Sequence, residues 1–122
     1  GLEGKSFRDR VSNKDYAIAT VAWYGDYPDA STFTDKYQSS SKQNDCGFVN
    51  KTYDELCAAA VKDPDADKRL RMLEQAKNIL NSEVPIAPLY HYVNVSLSRD
   101  NVHGVDANPR NITVFKDVRV DR

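Results

Sequence analysis

Tyr16-Ala17-Ile18-Ala19-Thr20-Val21-Ala22-Trp23-Tyr24-Gly25-Asp26-Tyr27-Pro28-Asp29 is the stretch from which the rest of the chain is read. Up to Trp23 it alternates Tyr16, Ile18, Thr20 and Ala22 on one face with Ala17, Ala19, Val21 and Trp23 on the other. Apolar residues on both faces predict a strand buried on both sides. Pro28 stops it, so Trp23 falls at the strand's C-terminal end, where open α/β sheets place ligands. There Trp23 offers a flat apolar wall, and Asp26 offers the fixed negative charge an ammonium group needs when it leaves water. On residue types alone the plainer assignment, a buried core Trp beside a turn Asp, is the stronger. The surrounding chain shifts that balance.

Upstream, Gly1 to Asn13 sets Phe7 among charges, which predicts a short amphipathic helix or turn. Downstream, Asp29 or Ser31 can cap a short helix carrying Phe33 and Tyr37. The polar run from Gln38 to Asp45 lacks buried periodicity and predicts a surface loop. From Asn50, a good N-cap, Tyr53, Leu56, Cys57 and Ala60 recur at i, i+3, i+4 and i+7 and form one apolar stripe. Asp63-Pro64 then predicts a helix stop and a new start, with Asp63 as N-cap and Pro64 in the first turn. That second helix, to about Asn81, is expected to bury Leu70, Leu73, Ala76, the Lys77 stem and Leu80, with Ile79 beside them. The short connection predicts two antiparallel helices packed on a sheet.

Beyond Pro85 and Pro88 comes the most strand-like run. Leu89, His91, Val93, Val95 and Leu97 alternate with Tyr90, Tyr92, Asn94, Ser96 and Ser98, an aliphatic face against an aromatic and polar one. The second face is suited to line a wet cleft. Past Asn101, Gly104 and Pro109 mark turns, and Ile112 to Asp117 alternates in a last short strand.

Composition narrows the function. The 122 residues fit one domain or a piece of one. Seventeen basic residues nearly balance eighteen acidic ones, so a net charge of -1 gives no footing for nucleic acid. No apolar stretch reaches the length of a spanning helix, and Gly1-Leu2-Glu3-Gly4-Lys5 is not a signal peptide. An exported protein would therefore carry its signal outside this chain. The two cysteines, Cys46 and Cys57, permit a disulfide, although Cys57 lies in a helical apolar pattern that favours a buried thiol. With His91 and His103 they lack the paired spacing of a metal site, and no cofactor motif is present. A phosphate loop, a nucleophile elbow and an HExxH motif are all missing, which argues against an enzyme. The three glycosylation triplets at Asn50, Asn94 and Asn111 fall in predicted strands or at a helix cap and are read as chance.

Four stretches, in order and spacing, resemble the C-terminal part of the oligopeptide-binding proteins, the extracytoplasmic subunits of peptide ABC importers. They are Phe7 to Asp26; Asn50-Lys51-Thr52-Tyr53-Asp54-Glu55-Leu56; Asp65 to Leu80, with Arg69, Leu73, Ala76 and Leu80 at the family's positions; and Pro85 to Asn94. The resemblance implies an α/β fold. This chain would be a fragment of one lobe of a two-lobed periplasmic-binding-protein fold, with helices packed on a small mixed sheet. Residues 1–100 would belong to that lobe and 101–122 to a return segment toward the missing lobe.

The family's Trp-x-x-Asp motif matches Trp23 and Asp26, whose carboxylate would receive a peptide's α-ammonium. Tyr92 matches a cleft-facing tyrosine, and Tyr24 and Gly25 complete the expected peptide-binding set. Implied partners are an oligopeptide ligand, the membrane subunits of the transporter and the missing N-terminal portion, and exposed sheet edges would favour self-association. Val11 and Thr20 stand where some members have arginines, and Tyr24 where some have a cysteine, so a modified ligand such as a murein peptide is an alternative. A stand-alone interaction module built on the helix pair is the other alternative, its charged face being Lys68, Arg69, Arg71, Glu74, Gln75, Lys77 and Asn78.

Overall fold

The computed structural model describes residues 2–93, 95–105, 112 and 114–121. Its elements are α1 (Gly4–Ser12), α2 (Ser31–Thr34) with a 3-10 turn at Asp35–Tyr37, α3 (Lys51–Lys62), α4 (Ala66–Glu83), β1 (Val102–His103) and β2 (Arg119–Val120), with a second 3-10 turn at Phe115–Asp117. The predicted positions Asn94, Pro109, Asn111 and Thr113 lie outside the described residues.

The helix pair forms for the reasons its sequence gives. Asn50 is extended, and its side chain accepts from the Tyr53 amide at 2.9 Å, satisfying one of the free N–H groups that open α3. The α4 cap is Asp65 rather than Asp63: one Asp65 oxygen accepts from the amides of Asp67 and Lys68 at 3.0 and 3.1 Å. Asp63 instead accepts from the Asp65 amide, and Pro64 sits in the link between the helices. Of two acids flanking one proline, the one that reaches two open amides sets the helix start. Asn50, at the head of α3, donates to Glu83 at the foot of α4, so the two helices run antiparallel.

Between and beneath them Phe48, Tyr53, Cys57, Ala76 and Leu80 form the buried cluster, with Tyr37, Cys46, Leu56, Ile79 and Ile86 packed around it. Tyr53 is fully buried; its hydroxyl donates to the Thr34 carbonyl at 2.6 Å, and its ring meets Phe48 edge-on. Burial pushes both the Tyr53 phenol and the Cys57 thiol above their usual ranges, so both stay neutral. Cys46 and Cys57 are free thiols. Leu70 and the Lys77 stem, expected on the buried stripe, are exposed. Both lie well off the centre line through Leu73, Ala76 and Leu80, by about 60 to 90° at about 100° per residue.

The loop between the short helix and α3 is less superficial than its polarity predicts. Asn44 is buried, and its amide acts as a substitute peptide group, donating to the Phe48 and Gln38 carbonyls and accepting from the Phe48 N–H. Lys36 is only 3% exposed. Its ammonium donates to the Gln43 carbonyl at 2.7 Å and to Asp45 at 2.8 Å, and lies over the rings of Trp23 and Tyr37 at 4.9 and 5.3 Å. A buried charge persists only when it is paired in this way.

The predicted strands are where the structure departs most from the sequence. Residues 16–23 and 89–97 pair with no strand among the described residues, and Ile18, Val93, Val95 and Leu97 are largely or fully exposed. An alternating run becomes a strand only when a neighbour takes its N–H and C=O groups, and no such neighbour is present among the described residues. Among the described residues the sheet is two-stranded and antiparallel rather than mixed, pairing Val102 with Val120 and His103 with Arg119. In the predicted last strand, Phe115–Asp117 form the 3-10 turn instead, and strand pairing falls at Arg119–Val120. Gly104, at φ 77°, lets the pair close: a Cβ there would sit 2.1 Å from the Asp117 carbonyl oxygen.

Candidate functional site

The stretch after residue 22 is held by the short helix it leads into. Trp23 is half-buried, and its indole N–H donates to the Thr32 carbonyl at 3.0 Å. Lys36 covers one face of that indole, so the wall it offers is the other face. The Asp26 N–H donates to the Thr32 hydroxyl at 2.9 Å. Gly25 lies between them against the Thr32 methyl, which a Cβ at residue 25 would approach to 3.1 Å. The Asp26 carboxylate is exposed, and no side chain among the described residues pairs with it.

The next turn is tied down at both ends. Asp29 accepts from the Ser31 amide at 2.8 Å and from the guanidinium of Arg69 on α4, and these donors hold its carboxyl well below the usual aspartate range. The Tyr27 hydroxyl donates to Asp35 at 2.6 Å, and that bond raises its pKa. Thus α4 and the 3-10 turn together present the loop carrying Asp26.

Tyr24 and Tyr92, predicted from distant parts of the chain, meet. Their rings stack at 5.8 Å and 23°, with 60% and 56% of each residue left exposed. Tyr90 completes the cluster, its ring edge-on to Tyr92 at 5.1 Å and its hydroxyl donating to that of Tyr92 at 3.2 Å. That hydrogen bond raises the Tyr90 pKa. The five predicted residues therefore fall into two groups: Trp23, Gly25 and Asp26 around Thr32, and Tyr24 against Tyr92. The chain links the groups at Trp23-Tyr24-Gly25, but no hydrogen bond joins Asp26 to Tyr92. Tyr90 was legible as a neighbour of Tyr92 on the aromatic face of the alternating run. Thr32 and Lys36 carried no signal, because their roles depend on folding back across several residues.

A groove of about 460 Å³ runs elsewhere, between α1 and residues 15–19, lined by Phe7, Val11, Tyr16 and Ile18 among others. None of the five predicted residues lines it. No group of three or more potential metal ligands occurs among the described residues.

No family model matches the chain. It is 34% identical over 108 residues to the dipeptide-binding protein DppE of Bacillus subtilis, covering 88% of this chain and 20% of that protein. It is 30% identical over 106 residues to the periplasmic murein peptide-binding protein MppA of Escherichia coli, covering 87% of this chain and 20% of that one. Among solved structures, Haemophilus influenzae OppA in complex with RPPGFSPFR superposes with a TM-score of 0.87 at 28% identity, covering 98% of this chain and 23% of its own. The chain matches the oligopeptide-binding proteins over about a fifth of their length. Consistent with a portion of one lobe of such a protein, α3 and α4 pack on each other, while residues 16–23 and 89–97 pair with no strand among the described residues. The related proteins are named for binding rather than for a reaction, and MppA is named as periplasmic.

Proposed function

We propose that this chain forms the part of an extracytoplasmic peptide-binding protein that receives the amino end of the ligand, for delivery to the membrane subunits of an ABC importer. The observation that carries the reading is the Asp26 carboxylate: exposed, without a protein partner among the described residues, and set beside Trp23 on a backbone pinned by Thr32. An unpaired carboxylate on a fixed loop is suited to a cation supplied from outside. The names of the relatives support the ligand class, since dipeptides, oligopeptides and murein peptides differ in side chains and length. A binder of many peptides reads what they have in common, the ammonium terminus and the main chain.

In this reading Trp23 and the tyrosines Tyr24 and Tyr92 wall the ammonium from water, and the backbone at Tyr24 and Gly25 pairs with the ligand main chain. Residues 1–100 belong to one lobe and 101–122 lead toward the other. In this reading the protein binds its ligand outside the cytoplasmic membrane and carries out no reaction on it. Enclosure of the ligand requires the second lobe, and the uncovered edges at 16–23 and 89–97 favour self-association of the isolated chain.

Calorimetry of the full-length protein with a mixed tri- to pentapeptide pool, with and without Asp26→Ala, tests this reading. Leaving a desolvated ammonium unpaired costs roughly 3 to 5 kcal/mol, so the variant should lose more than about a hundredfold in affinity. Equal affinity would remove Asp26 from ligand binding.

A further inference from the structure

Thr32 meets the Trp-x-x-Asp stretch at three successive points. Its carbonyl accepts from the Trp23 indole, its methyl lies 3.1 Å from where a Cβ at residue 25 would stand, and its hydroxyl accepts from the Asp26 amide. It is itself 3% exposed and belongs to α2, which packs against both α3 and α4. Thr32 is therefore a rigid post, tied to the helix pair, from which the recognition loop hangs. We infer that Thr32 is the positioning residue for ammonium recognition: its hydroxyl sets the direction of the Asp26 carboxylate, while its carbonyl sets the indole beside it.

The inference rests on the proposed role of Asp26 and adds the residue through which that role is tuned. A carboxylate binds an ammonium well only at hydrogen-bond distance and in line with an N–H, so a recognition group must be held within about half an ångström. The Asp26 side chain has no partner of its own among the described residues, so its aim follows from its backbone. Among the described residues, the hydrogen bond on that backbone ends on the Thr32 hydroxyl. Gly25 lets the two approach, because any larger residue would push against the methyl. Removing the hydroxyl while keeping the shape frees the Asp26 amide and leaves the bond to Trp23 intact, since that bond uses the main chain.

The test is a titration of the full-length protein with an equimolar tri- to pentapeptide pool, once as free amines and once N-acetylated, for wild type, Thr32→Val and Thr32→Ser. Wild type should prefer the free amines, Thr32→Val should lower that preference about tenfold with little change for the acetylated pool, and Thr32→Ser should restore it. Preference retained in Thr32→Val overturns the inference and leaves the proposed function standing. A parallel fall for both pools, with the ratio preserved, assigns Thr32 to packing alone and also overturns it. A wild type that does not distinguish the pools, or binds neither, overturns the proposed role of Asp26 and this inference with it.

Discussion

The segment from residue 31 to residue 83 is less apolar than the runs at 16–23 and 89–97, yet it holds most of the buried core while those runs stay largely exposed. In the first, caps at Asn50 and Asp65, the Asn44 amide and the buried Lys36 ammonium leave no buried side-chain polar atom without a partner among the described residues. In the second, Val93, Val95 and Leu97 stand in solvent. A helix satisfies its own backbone and needs one packed face, which α3 and α4 give each other. A strand needs at least one neighbouring strand to take its N–H and C=O groups. The contrast teaches which parts of this chain hold their structure by themselves and which depend on other parts of the protein.

The sharpest way to break that contrast is a pair of truncations. Tyr53→Ala empties a fully buried site and strands the Thr34 carbonyl, and should cost about 3 to 5 kcal/mol in this chain or in the full-length protein. Val95→Ser should change the stability of the 122-residue chain by no more than about 0.5 kcal/mol. In the full-length protein the same change should cost about 1 to 3 kcal/mol, as a neighbouring strand covers the site. Denaturant unfolding of both lengths decides it, and equal costs for Val95→Ser would mean that this run is never covered.

A smaller effect concerns the bond between the recognition loop and α4. Because the Asp29 carboxyl is held below its unfolded value, the unfolded state binds the extra proton as pH falls. The Arg69 pair therefore stabilises at neutral pH and fades only as pH drops below the usual aspartate range near 4. Asp29 and Arg69 are each partly exposed, so about 1 kcal/mol is expected after screening. Arg69→Met should remove that amount at pH 7 and flatten the acid limb of the stability curve. An acid limb identical to that of wild type would dissociate Asp29 from Arg69.

The smallest effect tests the end of α4. Val84 caps it at φ 52° and ψ 42°, a left-handed conformation that costs a β-branched residue about 1 to 2 kcal/mol. Val84 is also exposed, so Val84→Gly loses little packing. After the entropy of the added glycine, thermal unfolding should show a gain of about 0.5 kcal/mol. A loss would mean that the valine side chain is covered in the full-length protein.

Residue types and spacing were enough to read α3 and α4, the Asn50 cap, the buried set Tyr53, Cys57, Ala60, Leu73, Ala76 and Leu80, and the family itself. All of these depend on periodicity or motif order within a short span, where 3.6 residues per turn ties sequence distance to position in space. Tertiary structure alone decided the rest: that Asp65 rather than Asp63 opens α4, that Tyr24 stacks on Tyr92, that Lys36 is buried beneath Trp23, and that Thr32 carries Asp26. Each of these is settled by which partner a polar group or ring finds after the chain folds back, and composition holds no record of that choice. The alternating runs mark the same boundary from the other side, for their pattern specifies the faces of a strand while only a neighbouring strand can supply its hydrogen bonds.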